Sequence, residues 1–338
     1  MAAPILKSRE RGSKRSKTRL HSETKRFDDT DKIDPYRIVF LSVEGNVTEG
    51  DYFNCVKAFR SQLGIKSIVQ VEVLTRATND TDSSPDAVLE LMEEYLTLRH
   101  APEKFLSRLY KKITRNEMQK KYPEDFVRSY FYNAESLNPA DVEEFELFCR
   151  RIKICVDYDR YLYNIRNGSE DSDDVFGIVI DRDWSTHTIS AMEEIIKASE
   201  EEGIRCFVTT PCIEFWLLLH LVDVKEQYKH NMNCFRDNEK HNRKTYTERQ
   251  LSLAKKHMLG ISETQRIPLE EGQKFKNITK KDFETFYLPN IDTAIQRVEC
   301  DFSTDIHELI GNEENEDTRK GILGSNLPEL FKLLREVK

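Results

Sequence analysis

Acidic side chains stand directly after three apolar runs of this chain. Glu44 follows YRIVFLSV (Tyr36–Val43), Asp181 and Asp183 follow VFGIVI (Val175–Ile180), and Glu214 lies just past IRCFVT (Ile204–Thr209). Glu49 falls in the same turn and helix start as Glu44. If the runs are parallel strands, these acids gather at the carboxyl edge of a sheet, where open α/β sheets bind ligands. Alternation along Asp181-Arg182-Asp183 lets both carboxylates point to one side. Hard oxygen donors without a neighbouring His or Cys suit Mg²⁺ or Mn²⁺. A cation held there polarises a phosphoryl oxygen and activates water, the logic of phosphodiester hydrolysis. One acid after one strand reads as a helix cap or a partner for the helix dipole. Three acids at two strand ends favour the metal site.

Other constellations are weaker. Asp157 and Asp159 in CVDYDR follow a shorter apolar run, Ile152–Val156. His220, His230, Cys234 and His241 match no standard zinc spacing. EGNVTEG is neither GxxxxGK[ST] nor GxGxxG, which disfavours ATP or NAD binding. No Ser, Cys or Thr carries the surroundings of a nucleophile.

The elements that must position the acids read as alternating strands and helices. Strands are expected over Tyr36–Val43, Ser67–Thr75, Val175–Ile180 and Ile204–Thr209, each short and rich in β-branched residues. Helices are expected from Val47 to Leu63, from Ser84-Pro85-Asp86 onward, from Thr186 to Glu202, over Ile213–Val222, and over Thr293–Ile310 and Leu327–Val337. Strand–helix–strand units of this length favour a parallel sheet. The expected organisation is a basic flexible arm (1–34), a first α/β part (35–99), a mostly helical insertion (100–172), a second α/β part (173–224) and a basic helical C-terminal region (225–338).

Composition sets the bounds. The 338 residues carry 52 Lys and Arg against 60 Asp and Glu, a formal net charge of −8, with 38% hydrophobic and 33% charged residues. That suffices for a sizeable core and exceeds what a disordered chain carries. Low Gly (12) and Pro (10) argue against collagen-like or turn-dense all-β chains. The longest apolar stretch, Phe215–Leu219, is too short to span a bilayer, and the N-terminus lacks an apolar export core. Seven scattered Cys without a CxxC pair fit reduced thiols, and a cytoplasmic location is expected. Positive charge concentrates in two places: Lys7–Arg26, with nine basic residues against Glu10 and Glu23, and Lys225–Lys281, which includes Lys240, Arg243, Lys244 and Arg249. Tyr228, Phe235 and Tyr246 are interleaved with the second cluster, a pattern that suits backbone contacts and base stacking on RNA or DNA.

Three ordered segments, VEGNVTEGDYF (Val43–Phe53), DVFGIVIDRDW (Asp174–Trp184) and PCIEFWLLLH (Pro211–His220), resemble the RloB family, which includes AbiL-type abortive-infection proteins. The resemblance covers 36–85 and 174–222 well and 275–338 loosely. It implies a Toprim-like α/β domain with a central, mainly parallel sheet flanked by helices. It also implies a Mg²⁺- or Mn²⁺-dependent nuclease of bacterial anti-phage defence, with a neighbouring ABC- or AAA-type ATPase as partner and self-association as a further means of restraint. In that family's arrangement Glu44 corresponds to the first-strand glutamate and Asp181 and Asp183 to the DxD pair. Glu49 and Glu214 match further acidic positions. The chain departs at Thr210, where an Asn is expected before Pro211, and at Ile213, where an aromatic is expected. The rival readings are a non-catalytic adaptor that docks on the ATPase, a metal-dependent nucleotidyl- or phosphotransferase and, more distantly, a phospho-acceptor receiver domain.

Overall fold

The computed structural model describes residues 37–45, 47–66, 68–74, 84–114, 121–133, 136–151, 173–267 and 276–336. The basic arm and the Asp157/Asp159 pair lie outside these residues. Strand β1 (Arg37–Val43) leads through helix α1 (Thr48–Ala58) to β2 (Val69–Val73), and then to α2 (Pro85–His100). Ser84 caps α2, its hydroxyl accepting the Ala87 N–H at 3.3 Å, with Pro85 at the first helical position. Helices α3 (Pro102–Thr114), α4 (Glu124–Asn133) and α5 (Pro139–Arg151) follow, in the segment read as a helical insertion. The chain returns to the sheet as β3 (Val175–Asp181), α6 (Ile189–Glu201), β4 (Arg205–Thr210) and α7 (Ile213–Leu221).

The C-terminal third adds α8 (Met232–Asp237), α9 (Tyr246–Met258), α10 (Ile291–Asp301), α11 (Ile306–Ile310), a two-residue strand β5 (Gly324–Ser325) and α12 (Leu327–Arg335). The apolar pattern predicts one helix over Thr293–Ile310, and two are found. The Asp305 carboxylate accepts the His307 and Glu308 N–H groups at 2.8 and 3.1 Å and so starts a new helix there. The helix expected from Thr186 begins at Ile189 because the Thr188 hydroxyl caps it through the Ala191 N–H at 3.2 Å.

The sheet order is β2-β1-β3-β4-β5, with the first four strands parallel and β5 antiparallel to β4. This α/β architecture is consistent with a Toprim-like fold. Strand β5 has no apolar alternation to announce it. It forms because Gly324, at φ +157°, lies against Ser303, whose carbonyl oxygen would stand 2.0 Å from any Cβ placed there. Apolar side chains alternate through the sheet to two cores. Val39, Leu41 and Val43 pack with α1, α7, α10 and α12, whereas Ile38 and Phe40 pack with α2, α6 and the helices of the insertion. Between them the cores clamp β1 and β3 from both faces. The carboxyl ends of these two strands lie side by side at the point where the strand order reverses, which is where α/β sheets open a ligand crevice.

Candidate functional site

Glu44 is the first residue beyond β1. Its N–H continues the ladder to the Val179 carbonyl at 3.1 Å, and its Oε2 accepts the Asp181 N–H at 2.9 Å. The crevice is therefore bridged by the side chain of one strand end and the backbone of the other. Asp181 closes β3, and its Oδ1 accepts the Ile213 N–H at 2.9 Å, at the first turn of α7. That helix has no side-chain cap of its own, so Asp181 meets one of its open N–H groups and its positive dipole end.

Burial drives the Asp181 carboxyl well above the usual carboxylate range, and Glu44, Glu49 and Glu214 push it the same way; the Ile213 N–H opposes them. Four carboxylates expected from the sequence thus sense one another. Glu49, buried in the first turn of α1, folds back over Gly45, where a Cβ would meet its Oε2 at 2.0 Å. Glu214 sits in the first turn of α7, also raised by burial, against the pull of Lys276 at 4.0 Å. Lys276 makes its closer contact with Glu248, at 2.7 Å.

Asp183 departs from the alternation argument. Its Oδ1 accepts the Ser185 N–H and hydroxyl at 3.2 and 2.6 Å, which folds the DRDW segment into a tight turn. One oxygen of its carboxylate is thereby engaged in that turn, and Asp183 is not among the groups acting on Asp181 but acts on its neighbours Arg182 and His187. Among the described residues, no group of three or more His, Cys, Asp or Glu side chains is arranged so that it could hold a metal ion. His220, one of the residues weighed for zinc, is in the core: its ring nitrogens meet the Tyr52 hydroxyl at 3.3 Å and the Trp216 carbonyl at 2.9 Å.

The profile of the RloB-like protein family matches residues 39–312, a span that holds all of these acids. The chain belongs to the RloB-like family. Neither curated proteins nor solved structures provide a match. Within this RloB-like chain, Lys240, Arg243 and Lys244 of the basic residues expected to meet nucleic acid lie in and beside a hairpin between α8 and α9, and Arg249 lies in the first turn of α9. His241 and Lys244 exchange backbone hydrogen bonds at 2.8 and 3.1 Å, and Asn242 and Arg243 take φ +51° and +66° at the tip. Two successive left-handed residues make the tight turn that matches strand twist. Lys240 and Arg243 are exposed, whereas Lys244 is half-buried and Arg249 is held by the Lys244 carbonyl at 2.8 Å and the Tyr246 ring at 5.5 Å.

Two contacts fasten this hairpin to the acidic edge. The Asn238 amide reaches Cys212 Sγ at 3.6 Å, and the Trp184 indole N–H donates to the Asp237 carbonyl at 3.3 Å. Lys320 lies 5.0 Å from the Trp184 ring centroid and 2.7 Å from Asp237.

Sequence reasoning passed over three residues of the site. Arg182, between the two aspartates, is 1% exposed and donates to the carbonyls of Ile310, His187 and Arg319 at 2.7, 2.8 and 2.9 Å. His187 places Nε2 4.0 Å from Glu44 Oε1, so the acidic edge does have a histidine neighbour. Lys255 is 9% exposed beside Glu214, over the rings of Phe286 and Tyr287 at 5.6 and 5.3 Å. Arg182 lies within the DxD motif and His187 four residues beyond it, so both are near the acids in sequence. Nothing near Lys255 in sequence links it to the acids.

Proposed function

We propose that this RloB-like chain is a divalent-cation-dependent nuclease that acts on RNA, including tRNA, or on DNA as the effector of a bacterial anti-phage abortive-infection system. The observation that carries this reading is the concentration of Glu44, Glu49 and Glu214 around the Asp181 carboxyl at the reversal point of the sheet. Like charges gathered where one carboxyl is buried disfavour one another, and a dication relieves that repulsion. The donors are all hard oxygens, which suits Mg²⁺ or Mn²⁺. Asp181, Glu44, Glu214 and Glu49 would hold the ion, with Asp183 joining once its contact with Ser185 opens. A bound dication polarises a phosphoryl oxygen and lowers the pKa of attacking water.

The chain's own groups do the remaining work. The Ile213 N–H and the dipole of α7 orient Asp181, and the Asp181 N–H orients Glu44. Glu44, within reach of the same edge, serves as ligand or as general acid/base. Lys240 and Arg243 grip the phosphate backbone, and Trp184 keeps their hairpin beside the acids. None of the described helices is long and apolar enough to cross a membrane, and a cytoplasmic location is a further part of the proposal. An ABC- or AAA-type ATPase as partner, and self-association, are parts of the same proposal.

A second reading has its own support. The Glu44–Asp181 and Asp181–Ile213 hydrogen bonds are good structural uses of both acids, as expected of a non-catalytic adaptor that docks on an ATPase. Cleavage assays separate the two. Purified chain is incubated with total cellular RNA or plasmid DNA in Mg²⁺, Mn²⁺ or EDTA, alone and with the partner ATPase, beside Glu44→Gln and Asp181→Asn. Cation-dependent cleavage that falls at least about 100-fold in both variants is expected. No cleavage under any condition, by a folded chain with its partner, overturns the nuclease reading.

A further inference from the structure

The three rings expected from the sequence to stack on bases are spent on packing. Phe235 is fully buried, and Tyr228 and Tyr246 meet it edge-on, with ring centroids 5.2 and 4.9 Å away. Trp184 stands elsewhere. Among the described residues its half-buried ring joins neither apolar core, unlike Trp216, the chain's other Trp, which is fully buried. Its backbone is set by the turn after β3, in which the Asp183 carbonyl accepts the Thr186 and His187 N–H groups, both at 3.0 Å. Its indole N–H is fixed on the Asp237 carbonyl at 3.3 Å, and Lys320, paired with Asp237 at 2.7 Å, lies 5.0 Å from the ring centroid.

Trp184 comes three residues after Asp181, so its Cα lies at most about 11 Å from that of Asp181. The indole thus bridges the acidic edge and the end of α8, from which the basic hairpin leads, with Lys240 and Arg243 exposed to meet a neighbouring phosphate. A flat ring already held at one edge and one face has little freedom to lose on binding. Every nucleobase offers a π-face to such a ring. In a continuous duplex those faces are covered by neighbouring base pairs, whereas single strands, loops and bulges can present them. We infer that Trp184 stacks on an unpaired nucleobase next to the cleaved phosphodiester, so that the chain acts on single-stranded or looped nucleic acid and not on continuous duplex. The inference rests on the nuclease reading above and names its substrate class.

The test uses the full chain in EDTA, with labelled oligo(U) and oligo(dT) single strands and their blunt duplexes as probes. Anisotropy reads binding. Tryptophan emission reads stacking, because a base stacked on indole quenches it and the fully buried Trp216 is out of reach. Both are repeated on Trp184→Phe, which keeps a ring without the N–H, and on Trp184→Leu, which keeps neither, with circular dichroism as the folding control. A single strand is expected to quench the wild type, and a duplex bound to the same extent is not. Trp184→Phe should keep most of the single-strand affinity while its emission no longer changes. Trp184→Leu should lose about tenfold or more on single strands and little on duplex. Single strands that bind without quenching the wild type, or duplexes that quench it equally, overturn the inference, and cleavage in the assay above leaves the nuclease reading standing. Equal losses in the two variants, or an equal loss on duplex, would reduce Trp184 to an anchor of the hairpin and overturn the inference as well. A folded wild type that binds no probe also overturns it, and the cleavage assay then judges the nuclease reading by itself. The wild-type emission decides the matter even if a variant fails to fold.

Discussion

At the scale of single residues, Asp181 is pulled two ways, and the signs can be separated. The Ile213 N–H and the start of α7 favour its charge, a contribution of about 0.3–1 kcal/mol for an acid at a helix N-terminus. Burial together with Glu44, Glu49 and Glu214 disfavours it, and these prevail, since the carboxyl lies well above its ordinary range. Asp181→Asn keeps an Oδ1 for the Ile213 N–H and removes the repulsion. In EDTA the variant is therefore expected to be more stable than the wild type by about 1–2 kcal/mol, a rise of a few degrees in Tm. Adding Mn²⁺ should raise the Tm of the wild type and leave that of the variant nearly unchanged, which differential scanning fluorimetry can follow. A drop in the variant's Tm in EDTA would mean that capping outweighs repulsion and that the acid is structural.

At the scale of elements, α7 joins the site to the core, and its buried face has a pH dependence of its own. His220 donates its Nδ1–H to the Trp216 carbonyl and accepts from the Tyr52 hydroxyl at Nε2 deep in that core, and burial lowers its pKa from the ordinary 6.5 to about 3. A histidine kept neutral in the fold binds its proton more readily once the chain unfolds. Its contribution is present above the unfolded pKa and is lost as pH falls from about 6.5 toward 3, by at most about 1.4 kcal/mol per pH unit. In urea unfolding at pH 7 and pH 5, the stability lost by the wild type should exceed that lost by His220→Gln; equal losses would sink this account. The elements themselves were largely legible. Runs such as VFGIVI have strand chemistry and little else, and Ser84-Pro85 and Thr188 are local caps that sequence can display. What sequence concealed depends on distant approach. Strand β5 exists because Gly324 fits against Ser303, and one oxygen of the second DxD carboxylate accepts from Ser185, two residues on. Glu44, Asp181 and Glu214 could be named from strand ends, and Glu49 from the helix start that follows Glu44. Lys255 and the His187 imidazole reach the same edge through packing that no spacing rule records.

At the scale of the whole molecule, the net charge of −8 conceals a separation that matters for a polyanionic substrate. Acids collect at the crevice, and the hairpin tip beside them is basic, so a phosphate backbone would be held by the hairpin while one phosphodiester is brought against the carboxylates. The four basic residues expected to share this task do not do so equally. Lys240 and Arg243 are exposed at the hairpin, whereas burial lowers the pKa of Lys244, and Arg249 braces the Lys244 carbonyl. Binding measured by fluorescence anisotropy in EDTA, which prevents cation-dependent turnover, should reveal the difference. For wild type, log affinity falls with log salt. Replacing Lys240 and Arg243 with Ala should flatten that slope by about 0.7 for each phosphate no longer neutralised on single strands, or about 0.9 on duplex DNA, with affinity falling evenly across sequences. Arg249→Ala should leave the slope nearly intact and lower the stability of the hairpin, because its guanidinium is engaged by a carbonyl and a ring. If the double variant keeps the wild-type slope, the hairpin does not carry the backbone, and substrate must enter the crevice from another side.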